Sequence, residues 1–510
     1  MANKLTALVA GAGPVGLTMA AELARHGVSC RVIDKAPART ALSKALVVWP
    51  RTLELLRFAG LAKDFLEAGR KINSARLYAG KRQIANIGFE GIETSFPFAL
   101  FVPQSETERL LEDHLRGLGV KVERNLELFD FTASVEGVIA RLRRPDGKTE
   151  SVLADYLLGC DGAHSLVRHK LGFAFDGVSE QGIWMLADVK LRNHPQPGEL
   201  LLFWHEKGVL AIFPMNEGRY RVIANWDAGA VLPEEDAPAS LAQIQHFLDR
   251  RGPGKMVAFE PSWITFFRIN ERKVKEYRQG RVFLLGDAAH IHSPAGGQGM
   301  NTGMQDAFNL AWKMALATKT KGGASALLET YSGERSAVGD TVLKNAARLT
   351  YVATIRSTPV RIARNITAWA LMKTQKFRRR FAAVMTELDI AYPNSALSKK
   401  TAGVLQGPIE PGLRAPDADL VLLGGGRSRL YDALDPDGFT LLSSGADEAQ
   451  TRAMVKRFAP YVKFIPCLPG REYVNGFYVI RPDGYIGLIA GMNDVAEVEA
   501  YLREWLRGKG

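Results

Sequence analysis

The 510 residues exceed what one hydrophobic core of roughly 250–300 residues supports, so the chain divides into about two to four units. Hydrophobic residues make up 46% and charged residues 24%, which excludes wholesale disorder, and no apolar stretch is long and uncharged enough for stable membrane insertion. The net charge of +12 is uneven, because residues 344–400 hold twelve basic residues against Glu387 and Asp389, or +10 of the total. That segment has helical periodicity and reads as a solvated helix face, or a rim that draws in anionic small molecules; an anionic lipid surface or a protein partner is the alternative, and nucleic acid is not expected.

The N-terminal string MANKLTALVAGAGPVGL has the lysine and apolar run of a secretory signal. The run is short and passes directly into a glycine turn, so it reads as a buried strand, with the cytoplasm as the expected location. Residues 5–34 follow as strand, glycine turn, amphipathic helix and strand. A helix is expected at PRTLELLRFAGL, closed near Gly60, and another at QSETERLLEDHLRG, where the Ser105 to Glu108 spacing suits a capping box. Strands run on to ADYLLGCDG at 154–162. From about 180 to 275, KGVLAIFPM, RYRVIAN and WITFFRI alternate like antiparallel strands. Strand, turn and helix return at RVFLLGDAAH, and helices fill about 303–392. QGPIEPGLRAP at 406–416 reads as a linker to a small mixed unit with strands at DGFTLLSS and GFYVIRPDG and helices at DEAQTRAMVKRFA and AEVEAYLREWL. Cys30, Cys160 and Cys467 are far apart, with no CxxC and no Cys/His metal spacing. They read as small buried apolar residues, and no metal site is expected.

Three strings carry chemistry. The first is Gly11-Ala-Gly13-Pro14-Val15-Gly16 between a strand and a helix: Gly11 permits the tight turn, Gly13 lets backbone approach a pyrophosphate, and Gly16 allows close helix–strand packing. Asp34 ends the second strand, followed by Lys35, at the distance suited to an acid that binds ribose hydroxyls. An acid there disfavours a 2′-phosphate, so the nucleotide is FAD or NAD rather than NADP. The second string, Gly159-Cys-Asp161-Gly162-Ala-His-Ser165-Leu-Val-Arg168, follows an apolar strand and reads equally as a turn with a helix cap. In the third, the strand RVFLLG delivers Asp287 at its carboxyl end, and Pro294 and the run Gly296-Gly297-Gln298-Gly299-Met300-Asn301 open the next helix. Asp287 suits a polyol, and bare amides with a helix N-terminus suit a planar ring that gains negative charge.

Together these strings resemble the class A flavoprotein monooxygenases, the family of para-hydroxybenzoate and phenol hydroxylases, over roughly residues 5 to 350. PGLRAPDADL and RPDGYIGL resemble the thioredoxin-like C-terminal domain of the phenol hydroxylase branch, which without a CxxC is structural and helps association. The resemblance implies an α/β fold: a Rossmann-like FAD-binding domain (1–75, 102–180 and 276–345) interleaved with an antiparallel-sheet substrate domain (76–101 and 181–275). A helical segment (346–405) and a thioredoxin-like domain (406–510) complete it. It further implies Asp34 at the adenosine ribose and Lys44 near the pyrophosphate, where many relatives have arginine with its planar fork. Gln104 and Arg109 match a QxxxxR helix at FAD, and Asp161 and Arg168 match the motif tied to FAD and nicotinamide. Asp287 falls at the ribityl chain, Gly297 through Asn301 along the isoalloxazine, and Pro294 near the reacting position. His290 and His292 read as turn residues or supporting partners rather than catalytic groups. Trp204, Phe213, Met215, Tyr220, Asn225 and Trp226 are the candidate pocket wall; the catalytic base has no candidate.

The implied reaction is single-component hydroxylation of a phenolic or other electron-rich aromatic substrate. NADH or NADPH reduces FAD, O₂ is captured as a flavin C4a-hydroperoxide, and the ring takes its distal oxygen. A homodimer is compatible with this reading. Two alternatives stand beside it: a flavin reductase or epoxidase of the same fold acting on a lipid or isoprenoid, and a non-catalytic FAD-bearing interaction module.

Overall fold

The computed structural model describes residues 5–40, 43–196, 198–227, 238–320, 324–404, 407–445 and 448–506. It opens on the expected unit of β1 (Leu5–Ala10), α1 (Pro14–Arg25) and β2 (Cys30–Asp34). A first excursion contains β3 (Val47–Val48), α2 (Pro50–Phe58), α3 (Ala62–Ala68), β4 (Arg70–Ile72), β5 (Ser74–Ala79), β6 (Arg82–Gly88) and β7 (Ala99–Phe101). α4 (Gln104–Gly117) leads back to β8 (Val122–Arg124), β9 (Glu127–Ala133), β10 (Val138–Arg143), β11 (Thr149–Gly159) and α5 (Leu166–Lys170). A second excursion holds β12 (Asp176–Arg192), β13 (Leu200–His205), β14 (Gly208–Pro214), β15 (Arg219–Asn225), α6 (Leu241–Arg251) and β16 (Val257–Lys273). Next come β17 (Arg278–Gln279), β18 (Val282–Leu284) and β19 (His290–Ile291), then α7 (Gly299–Lys319), α8 (Ala324–Ala353), α9 (Thr358–Met372) and α10 (Gln375–Met385).

Two large sheets organise these elements. In the first, β18, β11, β1, β2 and β8 lie side by side and parallel, with β9 and β10 added antiparallel through β11. Its central strands are buried on both faces, which is why LTALVA and YLLG read as continuous apolar runs. The second sheet, in the order β19-β16-β12-β15-β14-β13-β5-β6, is antiparallel except for the β13–β5 pair. One face of it packs Met185, Leu201, Leu210, Ile212, Tyr220 and Val222 under α6, and the other packs on the segment around Val47 and Trp49 and on α9 and α10.

Local signals mostly act as expected. Pro14 starts α1 at a position where its missing N–H is no loss. Gly60 has φ +79°, and the Gly60 and Leu61 amides close α2 on Arg57 and Leu56, a left-handed cap. The capping box at Ser105 does not form. α4 is capped two residues earlier, at Pro103, whose carbonyl already accepts from the Glu106 and Thr107 amides, and Glu108 takes a hydrogen bond from Gln104 Nε2 at 3.0 Å instead.

The C-terminal unit contains β20 (Lys399–Lys400), β21 (Asp419–Val421), β22 (Arg427–Arg429), α11 (Leu430–Ala433), β23 (Phe439–Ser444), α12 (Glu448–Lys456), β24 (Val462–Cys467), β25 (Gly476–Ile480), β26 (Ile486–Ala490) and α13 (Val495–Leu506). Its sheet order β26-β25-β23-β24, with β23 and β24 parallel and β25 antiparallel, is that of a thioredoxin-like fold. Its core runs into the rest of the chain, since Trp312, Leu316 and Leu327 of α7 and α8 pack with Phe439, Leu441 and Tyr501. The proline- and glycine-rich segment is docked rather than a free linker: Arg414 bonds Glu54 at 3.0 Å and the Glu93 carbonyl at 2.6 Å. Gln406 at the head of that string, and Asp447 before α12, lie outside the described residues.

Candidate functional site

Parallel pairing explains how three distant strings form one site. Ala10 is level with Ile33 on one side and Gly159 on the other, and Gly159 is level with Leu284. Gly11, Asp34, Asp161 and Asp287 therefore leave adjacent strands at the same carboxyl edge, where open α/β sheets bind ligands. Neighbouring strands lie about 4.8 Å apart, so these groups share one continuous cleft.

The glycines separate packing from ligand space. A Cβ on Gly11 would sit 2.3 Å from the Cys160 carbonyl oxygen, and one on Gly16 only 1.9 Å from the Gly11 oxygen, so both are required by the fold itself. A Cβ on Gly13 would meet nothing within 4 Å. Gly13 is the N-cap of α1 and makes no side-chain cap, leaving a positive helix end facing open space. Val15 binds the first string to the third, since a Cβ on Gly286 or on Gly303 would fall 2.7 Å from its methyl group.

The acids are held but not used up. Asp34 accepts from the Ala12 amide at 2.7 Å and the Ala36 amide at 2.8 Å, which fixes the carboxylate beside the turn. Lys35 and Lys44 are exposed. Gln104 Oε1 accepts from the Ala45 amide at 3.2 Å, which pins the loop carrying Lys44. Asp161 Oδ2 takes the Val167 amide at 3.1 Å, while its Oδ1 is buried without a partner. Asp287 is exposed to the cleft, yet the walls around it are close enough that desolvation pushes its carboxyl above the usual range, against the pull of His290 and Lys44. An orphaned acid oxygen, an open acid and an uncapped helix end are what an extended, hydroxyl-rich, phosphate-bearing ligand would complete, so the residues fit FAD.

Two predicted contacts point elsewhere. Arg109 bonds Glu106 at 2.6 Å and Asp113 at 2.8 Å, in an open surface cavity of about 570 Å³ shared with Asp64 and His114. Its own helix supplies acids at three and four residues' distance, which hold the guanidinium on that outer side. Arg168 is buried, donates to the Ala288 carbonyl at 3.0 Å and the Ala163 carbonyl at 2.7 Å, and lies 3.8 Å from the Phe175 ring centre. It ties the second string to the third rather than reaching into the cleft. Ser165 caps α5 on the Arg168 amide at 2.9 Å, worth about 1 kcal/mol.

The third string is clamped from both sides. Gly296 and Gly297 have φ of +92° and +64°, a left-handed backbone that favours glycine. Asn301, fully buried, accepts from the Trp49 amide at 2.8 Å and donates to the carbonyls of Val47 at 2.8 Å and Gly297 at 3.0 Å. Trp49 Nε1 donates to the Gly296 carbonyl at 2.9 Å. Pro294 is exposed and its carbonyl accepts from the Gly297 amide at 2.9 Å; Met300 packs half-buried on the main core. Behind the loop, Asp306 takes the Gly286 amide at 2.9 Å, His290 Nε2 at 2.8 Å and Arg335 Nε at 2.6 Å. Burial would raise the Asp306 carboxyl, but Arg335 and His290 outweigh it and hold the pKa below the ordinary value. His290 is thus the supporting partner expected. His292 is neutral, its pKa pulled to about 4 by burial; Nδ1 is bonded to the Ser293 carbonyl and Nε2 is unpartnered 3.4 Å from where a Gly299 Cβ would lie. Trp49, Asp306 and Arg335 were missed; the one signal was an acid, Asp306, set within the largely apolar helical stretch TGMQDAFNLAW.

Alternation divides the predicted pocket wall in two. Trp204, Phe213 and Met215 point to the face shared with Val47, Trp49, Met372, Phe377 and Phe381. Tyr220 and Trp226 point the other way, stacked on His194 at 4.6 Å and set edge-on to Phe247 at 5.6 Å, and are core beneath α6. Asn225 is spent on the sheet end, accepting from the Val209 amide at 2.6 Å. All three are corrections: for Tyr220 and Trp226 a period of two says that faces alternate, not which face meets the cleft, and Asn225, though on the face of Arg221, has its amide taken by the backbone. Also on the cleft face, Arg221 forms a two-pronged ion pair with Asp188 at 2.8 Å on both arms and donates to the Lys44 carbonyl at 3.0 Å, joining the second sheet to the phosphate-side loop.

Comparison with known proteins agrees with this geometry. Residues 4–346 match the family described as FAD binding domain, and residues 409–508 match the aromatic-ring hydroxylase C-terminal family. The chain is 35% identical to YhjG of Bacillus subtilis (strain 168), an uncharacterized aromatic compound monooxygenase, covering 98% of this chain and 97% of that one. It is 35% identical to the 6-methylpretetramide 4-monooxygenase of Streptomyces rimosus, over 94% and 89% of the two chains. Among solved structures, the OxyS anhydrotetracycline hydroxylase from Streptomyces rimosus superposes with a TM-score of 0.81 at 28% identity, covering 99% of each chain. Among the described residues no group of acids, histidines and cysteines is placed to hold a metal, and no helix is long and apolar enough to cross a membrane. With strand-end acids and an open helix N-terminus at one sheet edge, and with its two parts matching the FAD binding domain and aromatic-ring hydroxylase C-terminal families, the chain belongs to the FAD-dependent aromatic monooxygenases.

Proposed function

We propose that this protein uses NADH or NADPH and O₂ to insert one oxygen atom into a phenolic or other electron-rich aromatic compound. The observation that carries the reading is the bare-backbone loop at Gly296 and Gly297, held to Trp49 directly and to Val47 through Asn301, two residues that share one apolar cluster with the half-buried Trp204 and Phe213. The relatives named for 6-methylpretetramide and anhydrotetracycline favour a substrate with fused rings. FAD, when bound, supplies the two-electron and oxygen chemistry.

The chain's own residues do the rest. Gly11, Gly13, Pro14, Val15 and Gly16 present the α1 N-terminus to the pyrophosphate, with the exposed Lys44 as a second positive charge. Asp34 with Lys35 takes the adenosine ribose, and Gln104, Asp161 and Asp287 face the chain between phosphate and ring. Gly297, Gly299 and Met300 hold the ring edge, with the buried Asn301 bracing their loop from behind, where the α7 N-terminus favours developing negative charge. Arg168 acts only by positioning, and Arg109 has no part. Trp204, Phe213 and Met215 exclude water from the reacting face, so that oxygen transfer competes with peroxide release.

The test is to reconstitute the protein with FAD, follow NADH and NADPH oxidation across a panel of phenols under ¹⁸O₂, and weigh the product. Substrate-stimulated consumption with one ¹⁸O in the product is expected. Consumption without ¹⁸O would make it a reductase, ¹⁸O only in an alkene-derived epoxide would make it an epoxidase, and a yellow protein that no nicotinamide reduces would make it a binding module.

A further inference from the structure

α9 is turned inside out relative to a surface helix. Its charged and strongly polar side chains face the protein: Arg364 is 9% exposed, donates to the Val352 carbonyl at 2.9 Å and lies 4.3 Å from the Trp204 ring centre, while Arg361 reaches Glu206 at 3.7 Å. Ala368 and Met372 complete that inner side, packed on the cleft wall. The outward side carries Val360 at 48% exposure, Ile362 at 54%, Ile366 at 60%, Trp369 at 38% and Leu371 at 40%, with Ala363 and Ala370 between them. Tyr351, at the end of α8, is 71% exposed. A run of outward apolar side chains on one helix exceeds the scattered exposure that a free surface tolerates, and so marks a covered face.

Charge selects what covers it. From residue 341 to 386 there is no Asp or Glu, while ten Lys and Arg occur. Arg356 before α9, Lys373 at its end, and Lys376, Arg378, Arg379 and Arg380 on α10 are exposed. Lys373 Nζ lies 3.6 Å from the Trp369 ring centre, so a cation stands at the border of the apolar face. A second copy of the chain would bring this acid-free rim against its own like, at an electrostatic cost. An apolar face bearing Trp and Ile, rimmed by cations and lying flat, matches instead the interface of an anionic bilayer.

We propose that the protein docks peripherally on anionic lipid membranes through the outer face of α9, with the exposed lysines and arginines of α10 supplying the charge preference. No chain segment crosses the bilayer in this arrangement. Because the inner sides of α9 and α10 roof the apolar wall of the cleft, docking sets that wall beside the bilayer surface, a short path for a lipophilic substrate.

The test is flotation of the FAD-loaded full chain with vesicles of phosphatidylcholine alone or mixed with phosphatidylglycerol, at low and high salt. Binding is expected only with phosphatidylglycerol and is expected to weaken with salt. The double change Ile362→Glu and Ile366→Glu, both exposed and outside the cleft, is expected to abolish flotation while retaining FAD and turnover of a water-soluble substrate. Lys376→Gln with Arg379→Gln should lower partition by roughly fivefold per cation removed. Absence of flotation at low salt, or flotation that survives the Ile362/Ile366 change, overturns the proposal. So does a dimer in sedimentation that this change splits, since the face would then be a contact between copies.

Discussion

Two regions of this molecule handle buried and half-buried charge in opposite ways. Where α7 and α8 meet the C-terminal domain, Glu334 accepts from Arg481 on both arms at 2.8 and 3.0 Å and from Lys313 at 2.7 Å, while Arg481 also holds Asp483 at 2.6 Å. Nearby, Arg51 donates to Glu54 at 2.9 Å and to the Asp483 carbonyl at 2.6 Å. Burial would raise the Glu334 carboxyl, yet Arg481 and Lys313 hold it far below the usual range; burial pulls Lys313 down to about 8 against Glu334. Every strong charge in this junction finds its counterpart within the chain. At the carboxyl edge of the parallel sheet the same residue types are left incomplete: Asp161 has an orphaned oxygen and Asp287 looks into open space. Closed charge networks join domains here, and unfinished ones mark where a ligand belongs.

The contrast can be broken most forcefully at Glu334. Glu334→Ala strands Lys313 without its ion-pair partner and leaves Arg481 only Asp483, and should cost about 3–5 kcal/mol, read as a lower denaturation midpoint with loss of the C-terminal domain's protection from proteolysis. Asp287→Ala should do the reverse, leaving the apoprotein's melting unchanged while weakening FAD binding by about 1.5–3 kcal/mol in a fluorescence titration. Gly13→Ala should behave similarly but less severely, since the backbone at φ −76° accepts alanine and the methyl group enters only ligand space; about a tenfold rise in Kd for FAD is expected with no change in fold.

Glu387 sits between the two regimes. It is buried at the start of the segment after α10, accepts from Thr302 Oγ1 at 2.8 Å and Gln305 Nε2 at 2.6 Å, and burial raises its pKa to about 8. The folded state then binds a proton that the unfolded chain releases near pH 4.5, so its contribution is full below about pH 4.5 and is lost as pH rises toward about 8. Glu387→Gln should flatten the fall in stability across that window in denaturation curves taken at successive pH values. The smallest effect belongs to Arg109→Ala: its partners are surface acids, so FAD affinity should move less than about twofold and stability by under about 1 kcal/mol.

How far the chain was legible depended on how local each signal is. Gly11 and Gly16 are required by clashes within a few residues or with the next strand, so the string itself carried the meaning. Asp34, Asp161 and Asp287 were legible because parallel strands deliver their carboxyl ends to one edge. Arg109 and Arg168 were not, since a matching letter says nothing about whether nearby acids or carbonyls claim the guanidinium first. The basic run at 344–400 was legible as charge, but its reading as a solvated face failed at α9, where the charges turn inward and the apolar side chains turn out.

By itself, then, the order of residues determined the βαβ start, the glycine turns and the acids at strand ends, because each rests on backbone sterics or spacing along the chain. Tertiary structure alone decided which face of the second sheet packs under α6, that Trp49 and Asn301 clamp the Gly296–Gly297 loop, and that the C-terminal domain is welded on through Glu334 and Arg481. Those outcomes depend on partners up to 254 residues apart, as for Asn301 and Val47, and no periodicity along a strand or helix encodes which distant element will lie against it.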